Sequence, residues 1–127
     1  MRDYNHKTRW VYLIHSVGTT YYKIGVATSV DARITAMQTG NPHELNVVAK
    51  TRHSNASLFE KQLHAICQNN RKRGEWFELD DYELTHIKLL FLQKESSYDF
   101  SVARDIWNSD QTSEKKLALI RWALGVT

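Results

Sequence analysis

Two short runs of aromatic and β-branched residues near the start of the chain predict a β-hairpin. The first run covers residues 9–15 and the second residues 21–26. The five residues between them are rich in turn formers, and a connection of this length closes a pair of antiparallel strands. A third β-branched run at residues 45–51 predicts a strand beside the hairpin. The alternation of apolar and polar residues at positions 75–79 predicts a short strand or extended segment that closes onto the sheet.

Elsewhere, apolar residues repeat at the spacing of an α-helix. Four such stretches predict four helices, three of them preceded by residues suited to cap a helix. Residues 95–110 contain scattered aromatic residues without a dependable period, so the sequence predicts no regular element there. The second helix carries one apolar stripe, which consists of Ala56, Phe59, Leu63, Ile66 and Cys67. The predicted helices follow the caps at residues 28–29, 54–57 and 80–81, and the last spans residues 113–125.

This order of elements predicts a mixed α/β (α+β) protein with a small, mainly antiparallel three-stranded sheet flanked by helices. With 127 residues, 42% hydrophobic residues and one proline, the chain is long and apolar enough to bury a core. We expect residues 1–79 to form the sheet-containing domain. Residues 80–127 are expected to form a helical extension that packs on it.

Charge and cysteine content narrow the class of protein. The formal net charge of +3 and the isoelectric point of about 9.0 suit a polyanionic partner without requiring one. The single cysteine, Cys67, excludes an internal disulfide and a cysteine-based zinc site, and its apolar surroundings predict a buried position. The first residues are polar and no apolar run approaches the ~20 residues of a membrane span. We therefore expect a cytoplasmic protein without a membrane segment.

Four short motifs occur in a fixed order along the chain. They are Val11-Tyr12, Lys23-Ile24-Gly25, Thr39-Gly40-Asn41-Pro42 and Gly74-Glu75-Trp76-Phe77. Arg33 lies eight residues after the glycine of the second motif. Together these features resemble the GIY-YIG nuclease domain, in the phage-associated branch where Lys-Ile-Gly replaces Tyr-Ile-Gly and Gly-Glu-Trp-Phe ends the domain. The resemblance covers residues 9–79.

The resemblance implies a metal-dependent endonuclease that hydrolyses DNA phosphodiester bonds, associated with a phage or mobile element and acting in a bacterial or phage-infected cell. Glu60 would bind one Mg²⁺ (or Mn²⁺) ion, and Arg33 would bind the scissile phosphate through its planar guanidinium. Tyr12 would hold the attacking water or accept its proton. The implied catalytic residues are Tyr12, Lys23, Arg33, Glu60 and His64.

Most of these residues also have a purely structural interpretation. Glu60 could complete a helix-capping box with Ser57, and Glu60 with His64 could form an ordinary pair on a helix surface. Arg33 could be a solvated helix residue. Tyr12 could be a half-buried strand residue with a satisfied hydroxyl.

Lys23 departs from the broader family, which has tyrosine at this position. An ammonium group cannot accept a proton as a phenolate does unless its own pKa falls far. Tyr12 is in turn a poor base unless a cation, Lys23 or Arg33, lowers the pKa of its phenol. The alternative is therefore a catalytically weakened module on the same fold that binds nucleic acid or a protein.

Clustered cations flank the predicted second helix and would contact backbone phosphates of DNA. In the last motif, Glu75 is either a second acidic group near the metal or a surface residue, and Trp76 is either a core residue or a base-stacking platform. The C-terminal helices are a candidate surface for a homodimer or a protein partner. The predicted nucleic-acid-binding residues are Lys50, Arg52, Arg71, Lys72 and Arg73.

Overall fold

The computed structural model describes residues 9–93 and 100–125, and it contains one antiparallel sheet with helices packed on both faces. The predicted mixed class, an antiparallel sheet flanked by helices, is confirmed. The strands are β1 (Arg9–Ser16), β2 (Tyr21–Ala27), β3 (Leu45–His53), β4 (Arg71–Arg73) and β5 (Trp76–Glu78). The helices are α1 (Val30–Gln38), α2 (Ala56–Ile66), α3 (Asp81–Phe91), α4 (Phe100–Trp107) and α5 (Ser113–Ala123), with a short 3₁₀ turn at Gln68–Asn70.

The sheet has the strand order β3-β1-β2-β5-β4, so the prediction of three strands is wrong. The chain after α2 forms β4, turns at Gly74 with a φ of 57°, and returns as β5. β5 then pairs with β2 over Tyr21–Lys23. The short strand or extended segment predicted at residues 75–79 is β5, whereas the three residues of β4 show no alternating pattern and are defined by their pairing in the folded chain.

Opposite faces of β1 and β2 enter different cores. Val11, Leu13 and Ile24 lie in the larger core, under α2, α3 and α4. Tyr12 and Ile14 lie in a smaller core beneath α1. Because both faces are covered, β1 is apolar almost without alternation. Tyr12 is therefore on the α1 face of the sheet.

Three helices, α1, α2 and α3, begin at predicted caps. The Ser29 side chain accepts a hydrogen bond from the Ala32 amide at the start of α1, and α1 ends at Gln38 as predicted. Asp80 begins α3 with a capping box to Glu83. Local hydrogen-bonding chemistry thus sets where these helices start.

α4 is a helix that the sequence pattern does not predict. Its buried residues Phe100, Ala103 and Trp107 lie at helical spacing, but this pattern covers only the 8 residues of about two turns. Phe100 packs on Phe59 with ring centroids 5.7 Å apart, and Trp107 Nε1 donates to Asn70 Oδ1 at 3.0 Å. Tertiary contacts therefore define this helix. Residues 95–99 of the same predicted irregular segment lie outside the described residues.

α5 packs on α3 and α4. The division into a domain of residues 1–79 and a helical extension of residues 80–127 stays a prediction. Within the described residues, none of the helices is long and apolar enough to cross a membrane.

His86 of α3 is a buried histidine outside the predicted site. It is 3% exposed, its ring centroid lies 5.0 Å from that of Trp107, and its Nε2 has no hydrogen-bond partner among residues 9–93 and 100–125. Burial, followed by the charge of Lys116, lowers the His86 pKa from 6.5 to about 4. The folded chain therefore resists protonation at this residue.

We expect acid to destabilise the protein through His86. The stabilising contribution of neutral His86 is complete above pH 6.5 and is lost as the pH falls towards about 4, because only the unfolded chain binds the proton in that window. The free energy of unfolding, measured by urea titration, should fall less over this window in His86→Leu than in the control His43→Gln, whose histidine is exposed. Equal falls in the two variants would contradict this explanation.

Candidate active site

The hydroxyl of Tyr12 lies against the backbone of the neighbouring strand at Gly25. The two residues are partners in the β1–β2 pair, and Tyr12 is fully buried. A Cβ atom at position 25 would overlap the Tyr12 hydroxyl and would lie 2.9 Å from Oε1 of Glu75. Glycine is therefore needed here for a steric reason, because it lets a phenol and a carboxylate meet over β2.

The candidate site forms where the edge of β2 is no longer paired with β5. Pairing with β5 ends at Lys23, and the Ile24 amide donates to the Glu75 carbonyl at 3.1 Å. α2 packs against β2, and His64 Nε2 donates to the Ile24 carbonyl, with 2.9 Å between the two atoms. Glu60 lies one helical turn before His64, on the same side of α2. The edge therefore brings together groups from three separate segments.

The structure decides two alternatives for α2. The helix begins at the N-cap Asn55, so the suggested capping box between Ser57 and Glu60 is wrong. The Ser57 hydroxyl instead accepts a hydrogen bond from Arg9 Nη2 at 2.6 Å. His64 is hydrogen-bonded to β2 rather than simply paired with Glu60 on a helix surface, and burial lowers its pKa.

Glu60 and Glu75 form a pair of adjacent carboxyl groups. Burial raises the pKa of Glu60 to about 7, and the neighbouring Glu75 carboxylate is the second cause. Two close carboxylates resist ionising together. The motif pattern left Glu75 open between a metal-site acid and a surface residue, and the fold places it beside Glu60. Its position in the Gly-Glu-Trp-Phe motif was the sequence signal that marked it.

The Tyr12 phenol is neutral and has a free hydroxyl. Burial raises its pKa to about 12, the charge of Glu75 acts in the same direction, and the nearby Arg33 guanidinium only partly opposes them. The condition for Tyr12 to act as a base, a pKa lowered by a cation, is therefore not met by Arg33 alone. The hydroxyl makes no hydrogen bond of regular geometry within the described part of the chain, although the Arg33 guanidinium lies close enough to favour the phenolate, and the residue is fully rather than half buried.

Arg33 and Lys23 approach this centre from different elements. Arg33 is exposed on α1, close enough to the Tyr12 hydroxyl to favour the phenolate. Lys23 Nζ lies 3.8 Å from Oε1 of Glu75 and 5.8 Å from the ring centroid of Trp76. Trp76 itself packs against the smaller core, as the core interpretation of this residue predicts. Arg33 and Glu60 thus lie near Tyr12, Lys23 joins them through Glu75, and His64 contacts the carbonyl of the neighbouring Ile24.

The predicted nucleic-acid-binding cations are divided between the two faces of the sheet. Lys50 and Arg52 are cross-strand partners of Tyr12 and Trp10, so they lie on the Tyr12 face. Arg71 lies over Phe77, on the face that carries the larger core, and donates to the Gly74 carbonyl. The two remaining cations lie near the β4–β5 hairpin: Lys72 is paired with Glu78 at 3.2 Å, and Arg73 is the partner of Trp76.

Glu60 and Glu75 are chemically suited to hold one magnesium ion. Mg²⁺ is commonly bound by one or two carboxylates, with waters and phosphate oxygens as its other ligands. A cation would also offset the repulsion that raises the pKa of Glu60. Among the described residues, no group of three or more His, Cys, Asp or Glu side chains is arranged to hold a metal. The donor set therefore fits a two-carboxylate site rather than a zinc-type centre.

Neither the curated proteins nor the solved structures contain a significant match to this chain. The T5orf172 domain family, in contrast, matches residues 9–91, which include all five strands, α1, α2, α3 and every side chain of the candidate site. This family is phage-associated and belongs to the context of GIY-YIG and HNH-like nucleases. The chain is therefore a member of the T5orf172 domain family.

Proposed function

We propose that this protein is a metal-dependent endonuclease of the GIY-YIG type that hydrolyses DNA phosphodiester bonds. The observation that carries the proposal is the pair of carboxyl groups, Glu60 and Glu75, placed beside the unpartnered hydroxyl of Tyr12. A buried polar atom without a partner costs stability, so its retention favours a role with substrate or water. Membership of the T5orf172 family supports the same function.

Glu60 and Glu75 would hold Mg²⁺ (or Mn²⁺). When bound, the ion supplies Lewis-acid stabilisation of charge on the phosphate oxygens and the leaving oxygen. The two carboxylates would place the positive charge of the ion at the free edge of β2. This edge is where a DNA strand must approach for cleavage.

Arg33 binds the scissile phosphate in this proposal. Its guanidinium is exposed on one side while its charge reaches the Tyr12 phenol. A planar guanidinium can donate two parallel hydrogen bonds to a phosphate, which both neutralises and orients it.

Tyr12 holds the attacking water. With a pKa near 12 the phenol is protonated at neutral pH, and its buried hydroxyl could donate a hydrogen bond to a water that enters at the edge of β2. Any step in which the phenol accepts a proton would first require added positive charge beside it, since burial and Glu75 both oppose the phenolate.

Lys23 supports a second candidate function, which is DNA binding without cleavage. Its ammonium group lies 3.8 Å from Glu75 and so offsets one of the two carboxylate charges. A site with Lys23 and Glu75 paired would hold a divalent cation less tightly. Such a protein would bind DNA backbones through its cations and leave the phosphodiester bonds intact.

Nicking of supercoiled plasmid DNA in Mg²⁺ tests the proposal. We expect cleavage by the native chain and a rate about 10²–10³-fold lower in Arg33→Ala, as when one transition-state donor is lost. Stability should change by only about 0.5 kcal/mol, because Arg33 is an exposed helix residue. The matched control is Arg104→Ala, which removes another exposed helix arginine.

The assay separates the two candidates. Binding of the plasmid with no nicks in Mg²⁺ or Mn²⁺ would reject the nuclease and favour the binding module. Equal cleavage by Arg33→Ala and Arg104→Ala would remove Arg33 from the mechanism.

A further inference from the structure

Trp10 of β1 carries two cations over its indole ring. Lys50 Nζ lies 5.0 Å and the Arg52 guanidinium carbon 5.9 Å from the ring centroid. Both cations project from β3, which is an edge strand of the sheet. We call Lys50 and Arg52 the β3 cation pair. Because an indole ring attracts cations, Trp10 holds both charges beside it on the Tyr12 face of the sheet.

Among the described residues, the β3 cation pair lacks a carboxylate partner, unlike Lys23 and Lys72. Within residues 9–93 and 100–125, neither Lys50 nor Arg52 forms an ion pair, and both are exposed. Lys72, in contrast, is paired with Glu78 at 3.2 Å. Two neighbouring cations without a counter-charge repel each other, and an anion bound between them would remove that repulsion.

The β3 cation pair is continuous with the candidate active site. Lys50 is the direct cross-strand partner of Tyr12, and Arg52 is the partner of Trp10, two residues earlier on β1. Cross-strand partners lie on the same face of a sheet with Cβ atoms roughly 4.5–5.5 Å apart. Gly25 is the partner of Tyr12 on β2, so the cation pair and the β2 edge lie on opposite sides of Tyr12.

A backbone phosphate fits this surface better than a nucleobase does. The Trp10 ring already has two cations over it, and its other contacts are with the smaller core beneath α1, so a base would have to displace a cation to stack. A phosphate needs only the cations. Since Trp10 has already restricted them, less side-chain freedom is lost when the phosphate binds.

We propose that Lys50 and Arg52 bind a backbone phosphate of the nucleic-acid strand that flanks the scissile bond, and that Trp10 is the residue that positions them. This inference rests on the proposed function, because it places the strand across Tyr12, from the β2 edge towards β3. The inference specifies in which direction the strand runs from the scissile phosphate across the protein surface. The contacted phosphate lies on one side of the scissile phosphate and not on the other.

The test is a salt titration of DNA binding in Ca²⁺, with the full chain and duplexes of several sequences. Each phosphate neutralised contributes a slope of about −0.9 to a plot of log affinity against log salt. We expect the double variant Lys50→Ala with Arg52→Ala to make the slope shallower by about one unit. The matched control Lys115→Ala with Arg104→Ala also removes one exposed lysine and one exposed arginine, but from α5 and α4, which pack with the larger core on the other face of the sheet. It should leave the slope unchanged.

Neutral methylphosphonate links, placed one at a time along one strand, identify the contacted phosphate. One link on a single side of the cleavage position should weaken binding by the native chain but not by the Lys50/Arg52 double variant. In Trp10→Leu, the methylphosphonate link should weaken binding less than in the native chain, although both cations remain. In Trp10→Phe, which keeps an aromatic ring, the link should weaken binding as it does in the native chain. Thermal unfolding of each variant shows whether the fold is retained.

The outcomes distinguish this inference from the proposed function. If the Lys50/Arg52 double variant matches its control while cleavage persists, the phosphate site is rejected and the nuclease proposal stands. The same conclusion follows if the methylphosphonate pattern is identical in both proteins. If the native chain binds none of the duplexes at low salt, both proposals fail.

Discussion

Replacing Glu60 by Gln is expected to abolish Mg²⁺-dependent cleavage and to leave DNA binding in Ca²⁺ nearly unchanged. The substitution removes one of two carboxylates that would hold the ion, while Arg33, Lys50 and Arg52 keep their charges. A loss of at least about 10²–10³-fold in the cleavage rate is the scale seen when one group that stabilises a transition state is removed. Plasmid nicking and a binding titration measure the two properties separately.

The same variant should respond differently to pH. The pKa of Glu60 is raised from 4.5 to about 7 in the folded chain, so its ionisation is unfavourable there. Glu60 should therefore contribute progressively less to the stability of the native protein as the pH rises from 4.5 through about 7, and this contribution should be absent from Glu60→Gln. Glu44→Gln, at an exposed position, is the matched control. Undiminished cleavage by Glu60→Gln would remove the carboxylate from the mechanism.

Replacing Tyr12 by Phe should separate catalysis from stability. The change deletes a hydroxyl that is fully buried and has no partner among the described residues. Because an unpartnered buried hydroxyl costs about 1–3 kcal/mol, the free energy of unfolding should stay constant or rise. Cleavage should fall by about 10²-fold or more, since the attacking water loses the group that orients it.

Tyr21→Phe is the matched control for this experiment, because Tyr21 lies on β2 and is 41% exposed. It should change neither cleavage nor stability appreciably. A Tyr12→Phe protein that is clearly less stable, or that cleaves at the native rate, would show that the hydroxyl has a structural rather than a catalytic role. Urea titration and the nicking assay together give the answer.

Local patterns in the sequence were sufficient for the central elements. The β-branched runs of β1, β2 and β3, the Ser29 cap of α1 and the apolar stripe of α2 all correspond to observed structure. Each depends on neighbouring residues, through side-chain alternation, helical spacing or capping hydrogen bonds. β5 lies within the short strand or extended segment predicted at residues 75–79, whereas β4 was missed because three residues cannot establish a period, and α4 because its pattern covers only about two turns.

The sequence by itself also singled out Tyr12, Arg33 and Glu60, through motifs whose order matches a nuclease family. It did not determine what surrounds them. Glu75 follows Glu60 by fifteen residues, and only the return of the chain along β2 brings its carboxylate to Glu60 and Tyr12. Long-range strand pairing fixes that position, and local pattern carries no information about it.

Tertiary structure likewise decided the charge state of each functional group and the face of the sheet on which it lies. The pKa of Tyr12 is raised, not lowered, because burial outweighs the nearby Arg33 guanidinium. Lys50 shares a face with Tyr12, whereas Arg71 lies on the face that carries Phe77, although both belong to the same set of predicted cations. Residue types and their spacing identified the side chains that are candidates for phosphodiester hydrolysis. Strand register and burial determined which groups meet and how each is ionised, because both depend on contacts between distant parts of the chain.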